Sequence, residues 1–149
     1  NLPYLLELGV EILSFDAYQI EFMPKEYTEP VAEFLQNGGI MAWGIVPTDS
    51  VNQRRTTPEK LVSRLLEYWE VVRQQTGVPL KQIAAQALLA PARCCLRNIE
   101  LQQDDEGGKA VAPPEVEGDQ TLSIEERLVE KAYAMLRTVS SRLRDKFGV

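Results

Sequence analysis

Three short strand-forming runs constrain this chain more than any other feature, because each breaks into polar or reactive residues at its C-terminal end. The first is Gly9-Val10-Glu11-Ile12-Leu13-Ser14-Phe15-Asp16-Ala17-Tyr18. The second is Ile40-Met41-Ala42-Trp43-Gly44-Ile45-Val46-Pro47-Thr48, and the third is Gln86-Ala87-Leu88-Leu89-Ala90-Pro91-Ala92-Arg93-Cys94-Cys95. All three read as buried, and long helical patterns lie between them. That alternation predicts parallel βα units, in which chemistry collects at the C-terminal ends of the strands.

Taken in order, residues 2–8 read as the tail of a helix stopped by Gly9, and residues 11–15 as the first strand. Thr28 is the expected N-cap of the next helix, with Glu29 and Pro30 in its first turn and Val31, Phe34 and Leu35 on one face. Asn37-Gly38-Gly39 ends it, and Pro47 stops the second strand. Residues 49–56 are polar and read as a flexible βα loop. Thr57-Pro58-Glu59 opens a helix that carries Leu61, Val62, Leu65, Leu66, Trp69 and Val72 inward as far as Gly77. Residues 84–90 suit helix or strand on periodicity alone. Their place after a helix, with Pro91 behind them, favours strand in the second half.

Residues 101–122 differ in kind. They are acidic and rich in Gly and Pro, which predicts a mobile excursion with no packed element. Ser123-Ile124-Glu125-Glu126 is a capping box for a last helix with Leu128, Val129, Ala132, Met135, Leu136, Val139 and Leu143 inward. The whole is one α/β domain over residues 1–149, with the excursion inserted. Three strands are too few to close a (β/α)8 TIM barrel of about 250 residues, but they fit its last three units. The opening at Asn1, in mid-helix, reads as a cut from a longer chain.

Composition narrows the function. A net charge of -6 argues against nucleic acid as a partner, since phosphate binding needs a basic face. No apolar run approaches the roughly 18 residues of a membrane span. Adjacent cysteines bridge each other only with strain, so Cys94 and Cys95 point to a reduced, cytoplasmic setting. The chain has no histidine, which removes the commonest general base and zinc ligand.

The three runs, in this order and spacing, resemble the end of a barrel of the uroporphyrinogen decarboxylase and cobalamin-independent methionine synthase superfamily, most of all its methionine-synthase-like members. The resemblance covers residues 1–100 and the last helix. It implies a methyltransferase in which zinc activates a small-molecule thiol as methyl acceptor, with a folate or a corrinoid protein as donor. It places Asp16 at the family's acidic zinc ligand and Cys94 at its last cysteine, with Cys95 as the alternative. The remaining ligands are expected upstream of Asn1, so this portion alone would be inactive. Three positions depart from the pattern: Asp16 is commonly Glu, Val46 stands near a family histidine, and Cys95 stands where Gly is common.

Each residue also has a plainer reading. Asp16 suits a turn or a helix cap, and the cysteines suit small core hydrophobes. Arg93 suits either an anionic substrate or a surface salt bridge. Tyr18 and Trp43 suit flat pocket walls or core packing. Arg54-Arg55 reads as a solvated pair. Two rival functions follow: a metal-free barrel of the same superfamily that binds a small ligand or tetrapyrrole, and a non-catalytic scaffold.

Overall fold

The most apolar run forms the central strand. In a computed structural model that describes residues 2–93 and 124–149, β1 (Ile12–Phe15), β2 (Ile40–Val46) and β3 (Ala87–Pro91) make one all-parallel sheet in the order β1-β2-β3. Six helices accompany it among the described residues: α1 (Leu2–Leu6), α2 (Lys25–Gln36), α3 (Ser50–Arg55), α4 (Pro58–Thr76), α5 (Leu80–Ala85) and α6 (Ile124–Phe147). The chain is therefore mixed α/β. The excursion at 101–122, Ser123 of the capping box, and Cys94 and Cys95 lie outside the described residues.

The register explains which residues the sheet buries. Phe15 pairs with Trp43 and Trp43 with Leu89, so these three share one face, as do Leu13, Met41 and Ala87. That face receives the helices. The Trp43 ring meets Phe15 edge-on at 5.2 Å and Trp69 of α4 at 6.1 Å, and Phe147 of α6 lies 6.0 Å beyond Trp69. The opposite face carries Ile12, Ser14, Ala42, Gly44, Leu88 and Ala90. No described helix covers it, and Ile12 and Leu88 are 52% and 48% exposed. Only β2 is the buried run expected of all three strands. β1 and β3 are edges, and an edge strand buries its side chains only where a layer lies over them.

α4 forms as its sequence requires. The Thr57 hydroxyl accepts the Lys60 N–H, Pro58 opens the first turn, and Gly77 closes the helix with φ of +78°. Leu61, Leu65, Tyr68, Trp69 and Val72 make its buried stripe. Two local expectations need correction. α2 begins at Lys25 after Pro24, and Thr28 sits inside it, where its hydroxyl donates to the Lys25 carbonyl at 2.7 Å. The segment read as a flexible loop contains α3, whose N-cap Asp49 accepts the Asn52 N–H at 2.8 Å. Gln53 anchors that helix: its buried amide donates to the carbonyls of Pro47 and Leu128, at 3.1 and 3.0 Å. The second half of residues 84–90 is strand as expected, with α5 ending at Ala85 and β3 beginning at Ala87.

Gly44 draws the C-terminal ends of the strands together. A Cβ there would lie 2.7 Å from the Phe15 carbonyl oxygen, 3.2 Å from the Ala92 Cα and 3.3 Å from the Pro91 carbonyl oxygen. Only a residue without a side chain allows β1 and β3 to close so tightly on β2. Gly44→Ala should therefore cost about 1–3 kcal/mol, in the range of overpacked cores. Urea unfolding checks this, and an unchanged midpoint would contradict the close approach.

Candidate functional site

Beyond their last ladder pairs, β1 and β3 stay tied to β2. The Tyr18 N–H donates to the Gly44 carbonyl at 2.9 Å, and the Ala92 N–H to the Val46 carbonyl at 2.8 Å. These bonds bring two residues 77 positions apart to opposite sides of the β2 end. There the Arg93 Nε donates to the Asp16 carboxylate at 3.3 Å. Asp16 also accepts from the Gln19 backbone at 3.2 Å and from its side-chain amide at 2.7 Å. A small cleft of about 240 Å³ opens beside this pair. Tyr18, Thr48, Asp49 and Asn52 complete its polar lining.

Helix α4 fixes the loop after β1. The Tyr68 hydroxyl of α4 donates to the Ile20 carbonyl, which also accepts from Arg64 at 3.1 Å. Burial pushes the Tyr68 phenol above its ordinary pKa, and the nearby Arg64 opposes that rise. Tyr68 is thus a neutral donor across the working pH range. The Arg64 guanidinium also sits 4.9 Å over the Tyr18 ring, and the Tyr18 hydroxyl meets that of Thr56 at 3.1 Å. Tyr18 is held from three sides, which sets its edge at the cleft.

On the other wall, partial burial disfavours the charged form of Asp49. The Asn52 backbone and side-chain amides outweigh it, and the carboxylate pKa falls below the ordinary 3.8. Asp49 therefore serves two purposes, capping α3 and facing the cleft with a fixed negative charge.

The structure brings Asp16, Tyr18 and Arg93 together at the strand ends. Trp43 is not with them: it is fully buried between Phe15 and Trp69 and belongs to the core. Cys94 and Cys95 lie outside the described residues. Arg54 and Arg55 are exposed at the end of α3 and do not line the cleft. Thr48, Asp49, Asn52 and Gln19 line it without having been singled out. A signal for Thr48 and Asp49 was present, since they directly follow the Pro47 that stops β2.

The fit to zinc is poor among the described residues. They contain no group of three or more His, Cys, Asp or Glu side chains placed to hold a metal ion. Asp16 is already engaged by a guanidinium, and Asp49 by Asn52. A catalytic zinc takes three protein ligands and an open position. In comparisons with family models, with curated proteins and with solved structures, nothing matches this chain. No described helix is long and apolar enough to cross a membrane.

Two substitutions test the scaffold of the site. Tyr68→Phe should destabilise the chain by about 0.5–1.5 kcal/mol, the net contribution of one hydrogen bond, and raise amide exchange at residues 17–20. Unchanged exchange there would show that Arg64 alone holds the loop. Asp49→Ala should cost about 1 kcal/mol at neutral pH. Because the folded-state pKa is depressed, this stabilisation is present above 3.8 and lost as pH falls through the lower folded value. Urea midpoints of the two proteins should therefore converge in acid, and a constant gap from pH 7 to 3 would contradict the assignment.

Proposed function

We propose that the strand-end cleft binds a small zwitterionic molecule of amino-acid type, within a barrel-like array of parallel βα units and in a cytoplasmic setting. The Asp16–Arg93 pair carries this reading. Arg93 is 61% and Asp16 23% exposed along their side chains, so the contact contributes little to stability and a ligand displaces it cheaply. A ligand carboxylate would take the Arg93 guanidinium, and its ammonium the Asp16 carboxylate. Thr48, Asn52 and Tyr18 offer neutral hydrogen bonds around them. At about 240 Å³ the cleft is smaller than the roughly 300–1,000 Å³ of drug-sized sites, which suits a ligand of few heavy atoms.

A second reading is the methionine-synthase-like methyltransferase, with an amino-acid thiol as acceptor. What favours it is that the Arg93 side chain reaches Asp16 at the strand ends, and Cys94 is the next residue in sequence. Asp16 and Cys94, or Cys95, would hold zinc with donors from outside the described residues. Zinc would supply Lewis acidity toward a thiol.

Calorimetric titration with L-cysteine tests the first reading, with cysteamine and 3-mercaptopropionate as analogues that each lack one charge. Cysteine should bind, both analogues should bind at least tenfold more weakly, and Arg93→Ala and Asp16→Ala should each lose about tenfold or more. Equal binding of all three thiols would overturn zwitterion recognition. Elemental analysis addresses the second reading. Zinc lost on Cys94→Ser or Asp16→Asn would support it, and none in a reduced preparation would remove it.

A further inference from the structure

Among the described residues no further strand lies beside β1 or β3, and the surfaces next to these two strands differ in a way that points to what covers them. Among the described residues, the exposed large apolar side chains concentrate there. Tyr4, Leu5, Leu8, Val10 and Ile12 lie on α1, on the segment that follows it and on β1, and are 38–60% exposed. Leu88, Tyr133 and Val149 lie along β3 and α6, and are 44–55% exposed. Only Phe22 and Val51 of that class lie elsewhere. A groove of about 760 Å³ runs beside β1, and one of about 720 Å³ runs between β3 and α6. Such concentrations mark surfaces that another chain covers.

Charge selects the occupant. The charged residues lining the β1 groove are Glu7, Glu11 and Glu33, all acidic. Those lining the β3 groove are Arg137 and Arg144, both basic. A two-fold contact of β1 with β1 would set acid against acid, and one of β3 with β3 would set base against base. A head-to-tail contact of β3 with the β1 of another copy sets Arg137 and Arg144 against the glutamates. The strands are matched at four and five residues. Because the sheet is parallel and in sequential order, the added β1 would continue it in the same sense. The outer backbone groups of β3 in one copy and of β1 in the next would then be paired.

We propose that this chain associates head-to-tail with a second copy of itself, β3 of one beside β1 of the next, through this acidic–basic apolar junction. The contact is heterologous, so it propagates unless the rotation between copies closes a ring. It stands independently of what the strand-end cleft binds.

Sedimentation over a wide concentration range tests it, with Glu11→Arg and Arg137→Glu as variants. Both sites are exposed, and circular dichroism confirms that each variant folds. The parent should show mass that rises with concentration. Each variant alone should associate at least tenfold more weakly, and an equal mixture of the two should recover association, because the reversed edges match each other. A parent that stays at the mass of one chain would overturn the proposal. So would association that neither reversal alters, or that Glu11→Arg strengthens, the latter being the mark of a β1–β1 contact.

Discussion

Everything at the functional end of this molecule depends on the missing side chain at position 44. The space a Cβ would occupy there is already filled by the Phe15 carbonyl and the backbone of residues 91 and 92. Because β2 presents no side chain at that point, the chains leaving β1 and β3 can bond to its last carbonyls. Asp16 and Arg93 then meet across the sheet end. The residue before Gly44 supplies the complementary half of the constraint. Trp43 fills the helix side of the sheet, where Phe15 and Trp69 lock it edge-on. One position of β2 thus anchors the core and the next shapes the cleft.

The surrounding helices add rigidity where an exposed ion pair cannot. A solvent-facing carboxylate–guanidinium contact is worth at most about 1 kcal/mol, so Asp16 and Arg93 do not hold the loops in place. That is done by buried groups. Tyr68 and Arg64 fasten the Ile20 carbonyl to α4, and Gln53 fastens α3 to the chain before it and to α6. The outcome is a firm frame around a weakly committed charge pair, an arrangement suited to exchanging partners with a ligand.

Much of this was legible from residue order. The three runs became the three strands, and Thr57-Pro58 and Gly77 bounded α4 because capping chemistry is local. Asp16 and Arg93 were readable as strand-end residues, but their contact was not, since no local rule pairs positions that far apart. Trp43 could not be assigned to core or cleft until the register fixed its face. α3 escaped notice because its helix signal is a single Asp cap and a buried glutamine, and five polar residues around one valine carry no apolar period. Thr28 misled for the opposite reason: a threonine can bond backward inside a helix as readily as it caps one. The exposure of β1 and β3 was hidden too, because a run of apolar residues does not say whether anything lies over it.

On the proposed reading, Asp16 and Arg93 form an exchangeable pair at the mouth of the cleft. Nitrogen–proton NMR of the arginine Nε–H groups reads it most directly. The Arg93 signal should stand apart from those of unpaired arginines, collapse toward them in Asp16→Asn, and move on titration with L-cysteine while the Arg64 signal stays in place. An Arg93 signal that ignores both the Asp16 substitution and the amino acid would contradict the pair, and with it the site built around it.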